Sequence, residues 1–147
     1  MIRRYIPSDL EEAAEAFCAA FSSAPWKEKW TVELAAARIS ELTSAPQSVG
    51  YVLVDEDVVK GILVGRALTY LFGTEFVVDE LFVAPDVQHK GGGTELLKYA
   101  EKDLAKEGVI AMALLTTRGY PSHKFCLKNG FAENKDVVFM FRPLDKN

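Results

Sequence analysis

The sequence has only two cysteines and two histidines, and this scarcity excludes several classes of site. Cys18 and Cys126 could form at most one bridge, which is no disulfide framework, so we expect a reduced, cytoplasmic protein. His89 and His123 lack the clustered spacing of metal ligands. We therefore predict a protein without a metal site.

Long apolar runs and a strong excess of one charge are also missing. No apolar stretch approaches the roughly 18 residues of a membrane span, and the first residues lead into an acidic helix instead of an apolar signal segment. The net charge of −4 and the pI near 5.2 argue against a nucleic-acid partner. We expect no membrane and no nucleic acid among the partners.

The length and the hydrophobic pattern favour one α/β domain, residues 1–147, with an ordinary core. Ser8 and Glu11 form a capping-box pattern before the first helix, Thr31 suits the N-cap of the second, and Pro121 suits the first turn of the last. The predicted order is β-α-α-β-β-β-α-β-α-β. The predicted strands are 2–6, 51–54, 58–68, 75–83, 110–115 (buried) and 137–141.

A glycine-rich turn, Gln88-His89-Lys90-Gly91-Gly92-Gly93-Thr94, lies between a strand-like run and an amphipathic helix. Free backbone N–H groups and the positive end of the helix dipole meet at such a turn, which makes an anion site suited to phosphate. No lysine follows the glycines as a Walker A loop requires, and a Rossmann turn would need glycine where Leu96 stands.

Three motifs give this chain its resemblance to a known family. Gln88, Gly91 and Gly93 follow an acid-x-Leu-x-Val run at 79–83 and Pro85, and Phe125 to Phe131 reads Phe-Cys-Leu-Lys-Asn-Gly-Phe. Together they resemble the GNAT superfamily of N-acetyltransferases over residues 50–142, and the N-terminal third matches in element order. The resemblance implies a GNAT-like single domain with a central mixed, mostly antiparallel sheet flanked by helices.

The same resemblance implies a co-substrate and its binding residues. Acetyl-CoA would place its pyrophosphate on the turn that begins at Gln88, where the backbone from His89 to Thr94 receives it and Lys90 adds a charge. The pantetheine arm would pair with the backbone of Leu81 and Val83. An amine would then attack the thioester directly.

Asp79 and Glu80 are candidates for handling the proton of the amine. Successive strand residues face opposite ways, so both reach one site only if the strand bulges, and the family spacing favours Asp79. Cys126 stands where the family usually has the tyrosine that protonates the CoA thiolate. Either Cys126 donates that proton or it simply packs, in which case Tyr120, Ser122 or water donates.

The loop between the first two helices is the candidate acceptor wall. Trp26, Glu28 and Trp30 could hold an organic cation by stacking and charge, or the tryptophans could simply fill the core. We expect acetyl transfer to the primary amine of a small molecule. A protein N-acetyltransferase, acting on lysine or an N-terminus, and a non-catalytic acyl-CoA-binding regulatory domain are the alternatives, and a homodimer is left open.

Overall fold

The computed structural model describes residues 1–145 and builds a five-stranded sheet in the order β1-β2-β3-β4-β5. The first three pairings are antiparallel and the pairing of β4 with β5 is parallel, which confirms the predicted mixed, mostly antiparallel sheet. The strands are β1 (Ile2–Arg4), β2 (Ser48–Asp55), β3 (Val58–Tyr70), β4 (Gly73–Val83) and β5 (Val109–Ala113). The helices are α1 (Leu10–Ser22), α2 (Val32–Thr43), α3 (Gly92–Ala105) and α4 (Pro121–Lys128), with 3-10 turns at Pro7–Asp9 and Pro85–Val87.

Helices cover the two faces of the sheet. Val52 of β2 belongs to the core that α1 and α2 build around Phe17 and Ile39. Its neighbour Leu53 lies against Gly92, the first residue of α3. Because successive strand residues point to opposite faces, α1 and α2 lie on one face of the sheet and α3 lies on the other.

The structure confirms the predicted N-cap of α2 and contradicts the one predicted for α1. The hydroxyl of Thr31 accepts the N–H of Leu34 at 3.1 Å, so the predicted cap of α2 is confirmed. The capping box predicted for the first helix is wrong, because the chain makes a 3-10 turn over Pro7–Asp9 before α1. The carboxylate of Asp9 accepts the N–H of Ile6 and pairs with Arg3, and these bonds hold the turn.

The last two predicted strands also need correction. The strand expected over 137–141 does not form within residues 1–145, and its side chains are exposed. A run of β-branched and aromatic residues makes a strand only where a neighbouring strand supplies ladder bonds and cover. The strand expected to be buried over 110–115 is the shorter β5, in which Ile110 is 57% exposed. Among the described residues β5 is the last strand of the sheet.

The chain divides into two compact units, Met1–Leu115 and Thr116–Asn147. The first contains the sheet with α1 to α3, and the second contains α4. Within residues 1–145 no helix is long and apolar enough to cross a lipid bilayer. The prediction of one domain over 1–147 stays a prediction.

Candidate active site

The glycine-rich turn has the backbone geometry of an anion site. His89 and Gly91 take positive φ values of 64° and 82°, which reverse the chain between the turn at Pro85–Val87 and α3. The helical bond from the Glu95 N–H to the Gly91 carbonyl is the first of α3. The N–H groups of Gly92, Gly93 and Thr94 therefore precede the helical bonding pattern, and no side chain of residues 1–145 caps the helix. These donors suit the pyrophosphate of acetyl-CoA.

Gly92 lets α3 approach the sheet closely. A Cβ atom on this residue would lie 2.7 Å from the Cδ2 atom of Leu53 in β2. A side chain here would therefore require either the Leu53 side chain or the start of the helix to shift. The sequence motif emphasises Gly91 and Gly93, and the structure adds a close contact between Gly92 and β2.

The edge of β4 beyond β5 is available to a strand-like ligand. The N–H of Ala84 donates to the Lys60 carbonyl of β3. Backbone groups alternate between the two edges of a strand, so Leu81 and Val83 point theirs away from β3. On that side β5 pairs only as far as Val77 within the described residues. This geometry fits the predicted pairing of Leu81 and Val83 with the pantetheine amides.

Gln88 ties the turn to this edge. Its side-chain amide donates to the Val83 carbonyl at 2.8 Å, across the short turn that follows β4. The bond explains a glutamine at the head of the motif, because an amide N–H can hold the end of the strand to the start of the loop. A carbonyl oxygen has two lone pairs, so Val83 retains the capacity to accept a second hydrogen bond.

A β-bulge in β4 brings the two candidate carboxylates to one face. Val64 lies opposite Glu80 and Gly65 lies opposite Val78, so Asp79 is the extra residue of the bulge. Glu80 reaches Arg38 of α2 and Asp79 reaches Arg66 of β3. Arg66 is two residues from Val64, which packs in the α1 and α2 core. Both carboxylates thus lie on the α1 and α2 face, which strict alternation would forbid.

The two carboxylates differ in how strongly they are held. Asp79 accepts two bonds from Arg66, both of 2.9 Å, in a bidentate pair. Glu80 accepts one bond of 2.6 Å, from Nε of Arg38. Burial raises the pKa of Glu80 above the usual range, while Arg38 acts against that rise. Glu80 therefore has a raised pKa and one hydrogen-bonded partner, whereas both oxygens of Asp79 are occupied by Arg66.

The loop after α1 forms an aromatic wall beside these carboxylates. The ring of Trp30 lies 4.6 Å from that of Phe17, and the ring of Trp26 lies 5.5 Å from that of Phe21, both centroid to centroid. Phe17 also packs on Phe82, two residues beyond Glu80 in β4. The tryptophans are half-buried, so they pack on the core and also keep part of their surface open.

Glu28 joins this group through charge and hydrogen bonding. Its carboxylate accepts the indole N–H of Trp30 at 2.9 Å and is exposed. The charges of Glu28 and Asp79 both contribute to raising the pKa of Glu80, so the three carboxylates share one electrostatic environment. The sequence-predicted acceptor residues and the predicted acids are thus brought together in the first unit.

The predicted proton donors all belong to the second unit. Tyr120 is the N-cap residue of α4, and the Ser122 hydroxyl accepts a bond from Thr116. Cys126 is buried with 6% of its surface exposed, and burial raises the pKa of its thiol. That environment agrees with a packing role and keeps the thiol protonated near neutral pH.

Arg38 and Arg66 were missed by the sequence analysis. After Lys60, Arg66 is the one charged residue in the predicted strand over 58–68, where the other residues are apolar or small. A correct register between this strand and β4 would have identified Asp79 as its partner. Arg38 gives no such signal, because its partner lies 42 residues away on another element. Among residues 1–145 no group of three histidine, cysteine or carboxylate side chains is arranged to hold a metal ion.

A cavity of about 330 Å³ lies elsewhere, between α1, the start of β3 and the turn after β4. Three of its charged lining residues have partners. Glu12 accepts the N–H of Val59, and Lys60 pairs with Asp86 at 2.9 Å. The candidate site residues described above do not line it.

A backbone anion site, an open strand edge and acids on a bulge together fit an acyl-CoA-dependent transferase. The family model described as "Acetyltransferase (GNAT) family" matches residues 10–131 of the sequence. The chain belongs to this family, it is an N-acetyltransferase, and acetyl-CoA is its acyl donor. The resemblance recognised in the sequence is confirmed.

Solved structures agree in fold. One is the aminoglycoside acetyltransferase AAC(6')-Iy in complex with a bisubstrate analogue, with 19% identity, a TM-score of 0.74 and 98% of each chain covered. Another, AAC(6')-IG from Acinetobacter haemolyticus, has 16% identity, a TM-score of 0.75 and 99% of each chain covered. A transcriptional regulator from Bacillus halodurans has 16% identity, a TM-score of 0.77 and 97% and 99% coverage. A search of curated proteins finds no match.

Proposed function

We propose that this protein acetylates the primary amine of a small molecule, with Glu80 as the group that accepts the amine proton. The observation that supports this proposal is the arrangement of three features in the first unit, which together form a track for the acyl donor. The track starts at the free N–H groups of α3, follows the open edge of β4 at Val83 and Leu81, and ends at the carboxylates on the bulge. A thioester held along this track would meet the amine beside Glu80.

Acetyl-CoA supplies the activated carbonyl, and the chain supplies position and proton transfer. The N–H groups of Gly92, Gly93 and Thr94 hold the pyrophosphate, and the edge of β4 aligns the arm. The amine nitrogen forms a bond to the carbonyl carbon as the bond from carbon to sulfur breaks. Glu80 takes the proton that the nitrogen loses, directly or through one water, since its raised pKa makes it a better base than an ordinary carboxylate.

Tyr120 and Cys126 are the candidate donors of the proton for the CoA thiolate. The Cys126 thiol is buried, which supports a packing role for it. Ser122 and water are the other donors to test. The family spacing favours Asp79 as the base. We propose Glu80 instead, because both oxygens of Asp79 accept hydrogen bonds from Arg66.

The small-molecule assignment draws support from two sources. The acceptor wall combines Trp26 and Trp30 with the carboxylate of Glu28, a set that suits a compact organic amine. Several solved structures with this fold are described as aminoglycoside acetyltransferases. Both cysteines are free, which agrees with a cytoplasmic location as a further part of the proposal.

A turnover screen tests the proposal. Free CoA release should be followed with acetyl-CoA and a panel of amino acids, polyamines, aminoglycosides and lysine-containing peptides. We expect turnover with at least one small amine and a rise in melting temperature on adding CoA. Peptides as the only acceptors would favour the protein acetyltransferase, and tight CoA binding without any turnover would favour a regulatory domain. Either result would contradict the proposal.

A further inference from the structure

Two arginines give the acceptor site anion-binding groups that a site for a simple organic cation does not need. Arg38 donates to Glu80 and Arg66 donates to Asp79, which are neighbours on the bulge of β4. Each arginine side chain is 41% exposed, whereas the two carboxylates are only 14% and 15% exposed. The arginines therefore form the more accessible part of both ion pairs.

Both guanidinium groups keep unused donors. A guanidinium has five N–H bonds in a planar fork that matches a carboxylate. Among the described residues Arg38 donates only through Nε, and Arg66 donates only through Nε and Nη2. The remaining N–H bonds lie on the half-exposed side chains. They can bind a second anion while the bonds to Glu80 and Asp79 stay intact.

Negative and positive groups lie side by side at this site. Glu28 is an exposed carboxylate in the same electrostatic environment as Glu80, and the rings of Trp26 and Trp30 are adjacent. A substrate with several ammonium groups and no anion would leave the remaining N–H bonds of the two arginines without a partner. A substrate with one ammonium and one carboxylate a few bonds apart would satisfy both kinds of group.

We propose that the acceptor is a small zwitterion of the α-amino acid type, whose carboxylate binds Arg38 and Arg66 while its amine lies beside Glu80. This inference rests on the proposed function and narrows its substrate class. The carboxylate of such a substrate would orient the amine toward the thioester edge of β4. The tryptophans would contact its side chain.

Matched acceptors test this directly. Each of several α-amino acids is compared with its own α-carboxamide, and kcat/KM for acetyl transfer is measured for both. The amide keeps the size and the amine and removes the negative charge. It also makes the amine less basic, so a site indifferent to the carboxylate would prefer the amide. We expect the acid to be preferred by about tenfold or more, which is typical of one charge-assisted hydrogen-bonded contact.

Substitutions of the arginines test whether they cause the preference for the acid over the amide. In Arg38→Gln the ratio of acid to amide should fall toward one, and Arg38→Lys should restore part of it, because lysine keeps the charge without the fork. The ratio cancels any common effect of the variant on Glu80. Lys102→Gln, an exposed lysine of α3 on the other face of the sheet, removes one positive charge and should leave the ratio unchanged.

The outcomes separate this inference from the function on which it rests. Equal or better turnover of the amides, or turnover of polyamines and aminoglycosides alone, overturns the zwitterion while the small-molecule acetyltransferase stands. An acid preference that survives both Arg38→Gln and Arg66→Gln assigns the carboxylate to other residues and also overturns it. Absence of turnover on every amine contradicts the proposed function itself.

Discussion

At the scale of single residues, the site depends on how two adjacent carboxylates are distinguished. Asp79 and Glu80 lie on the same face of β4, yet one is held at both oxygens and the other through one bond. Burial raises the pKa of Glu80, and the neighbouring carboxylates add to the rise. Environment thus separates the roles of two chemically similar groups.

Replacing Glu80 should impair the chemistry and spare the binding of the acyl donor. Glu80→Gln keeps the size and can still contact Arg38, but it cannot accept a proton. We expect kcat to fall about a hundredfold, as for other positioned bases, with an unchanged shift of melting temperature on adding CoA. Asp79→Asn is the matched control and should lose less. The assignment is wrong if Asp79→Asn is the slower of the two.

The acid limb of the rate profile should report the pKa of Glu80. The carboxylate must be ionised to accept a proton, so kcat/KM should fall as the pH drops through its raised pKa. Arg38 lowers that pKa, and Arg38→Gln removes this effect. The limb should then move to higher pH. A limb that stays in place or moves to lower pH in the Arg38→Gln variant would contradict Glu80 as the titrating group.

The proton donor for the thiolate can be identified by two conservative variants in the second unit. Tyr120→Phe removes only a hydroxyl and should slow turnover by about tenfold or more if Tyr120 is the donor. Cys126→Ala should leave the rate largely unaltered and cost about 1 kcal/mol of stability, since Cys126 is buried. Steady-state rates and chemical denaturation of both variants decide between them. If neither variant changes the rate, Ser122 or water is the donor.

At the scale of elements, the start of α3 positions the donors that receive the pyrophosphate. Gly91 ends the turn with φ of 82°, and Gly92 lets the helix lie directly on Leu53 of β2. Gln88 secures the other end of the turn to Val83. The anion site therefore requires contact between a helix, a loop and two strands.

A methyl group at Gly92 should weaken acyl-CoA binding through this contact. In Gly92→Ala the new Cβ meets the Cδ2 atom at the end of the Leu53 side chain, so this side chain or the helix start must shift, and the KM for acetyl-CoA should rise about threefold. The double variant Gly92→Ala with Leu53→Val removes the obstructing Cδ2 atom. It should recover most of the affinity, measured by titration calorimetry with CoA. Equal affinity of the parent and Gly92→Ala would rule out this role for the contact.

At the scale of the whole molecule, ion pairs between distant segments hold the first unit together. The Asp103 carboxylate in α3 accepts the Tyr51 hydroxyl from β2 and pairs with Arg4 of β1. Asp9 pairs with Arg3 through two bonds and joins β1 to the turn before α1. These links connect the N-terminal strand to both helical layers.

Asp9 should make stability depend on pH in a predictable direction. Its hydrogen bonds with Arg3 lower its pKa below the unfolded value, so its contribution is present above about pH 4 and is lost as the pH falls through the folded pKa. Asp9→Asn should cost about 1–3 kcal/mol at pH 7. Urea denaturation at pH 7, 5 and 3 should show the difference from the parent shrinking toward pH 3. A constant difference would contradict the prediction.

The sequence alone determined the features that depend on residues close together in the chain. The cap at Thr31, the helix start at Pro121 and the turn from Gln88 to Thr94 follow from local sterics and backbone bonding, so the motif and the element order were readable. The strand expected over 137–141 was wrong because a strand needs a partner, and local propensity supplies none.

Tertiary structure decided which groups meet in the candidate site. The bulge that turns Asp79 and Glu80 to one face is a property of the register between β3 and β4. The arginine partners lie 13 and 42 residues away in sequence, and the contact of Gly92 with Leu53 joins two elements. Spacing along the chain carries no record of such contacts, because they arise only when separate elements pack on the same sheet.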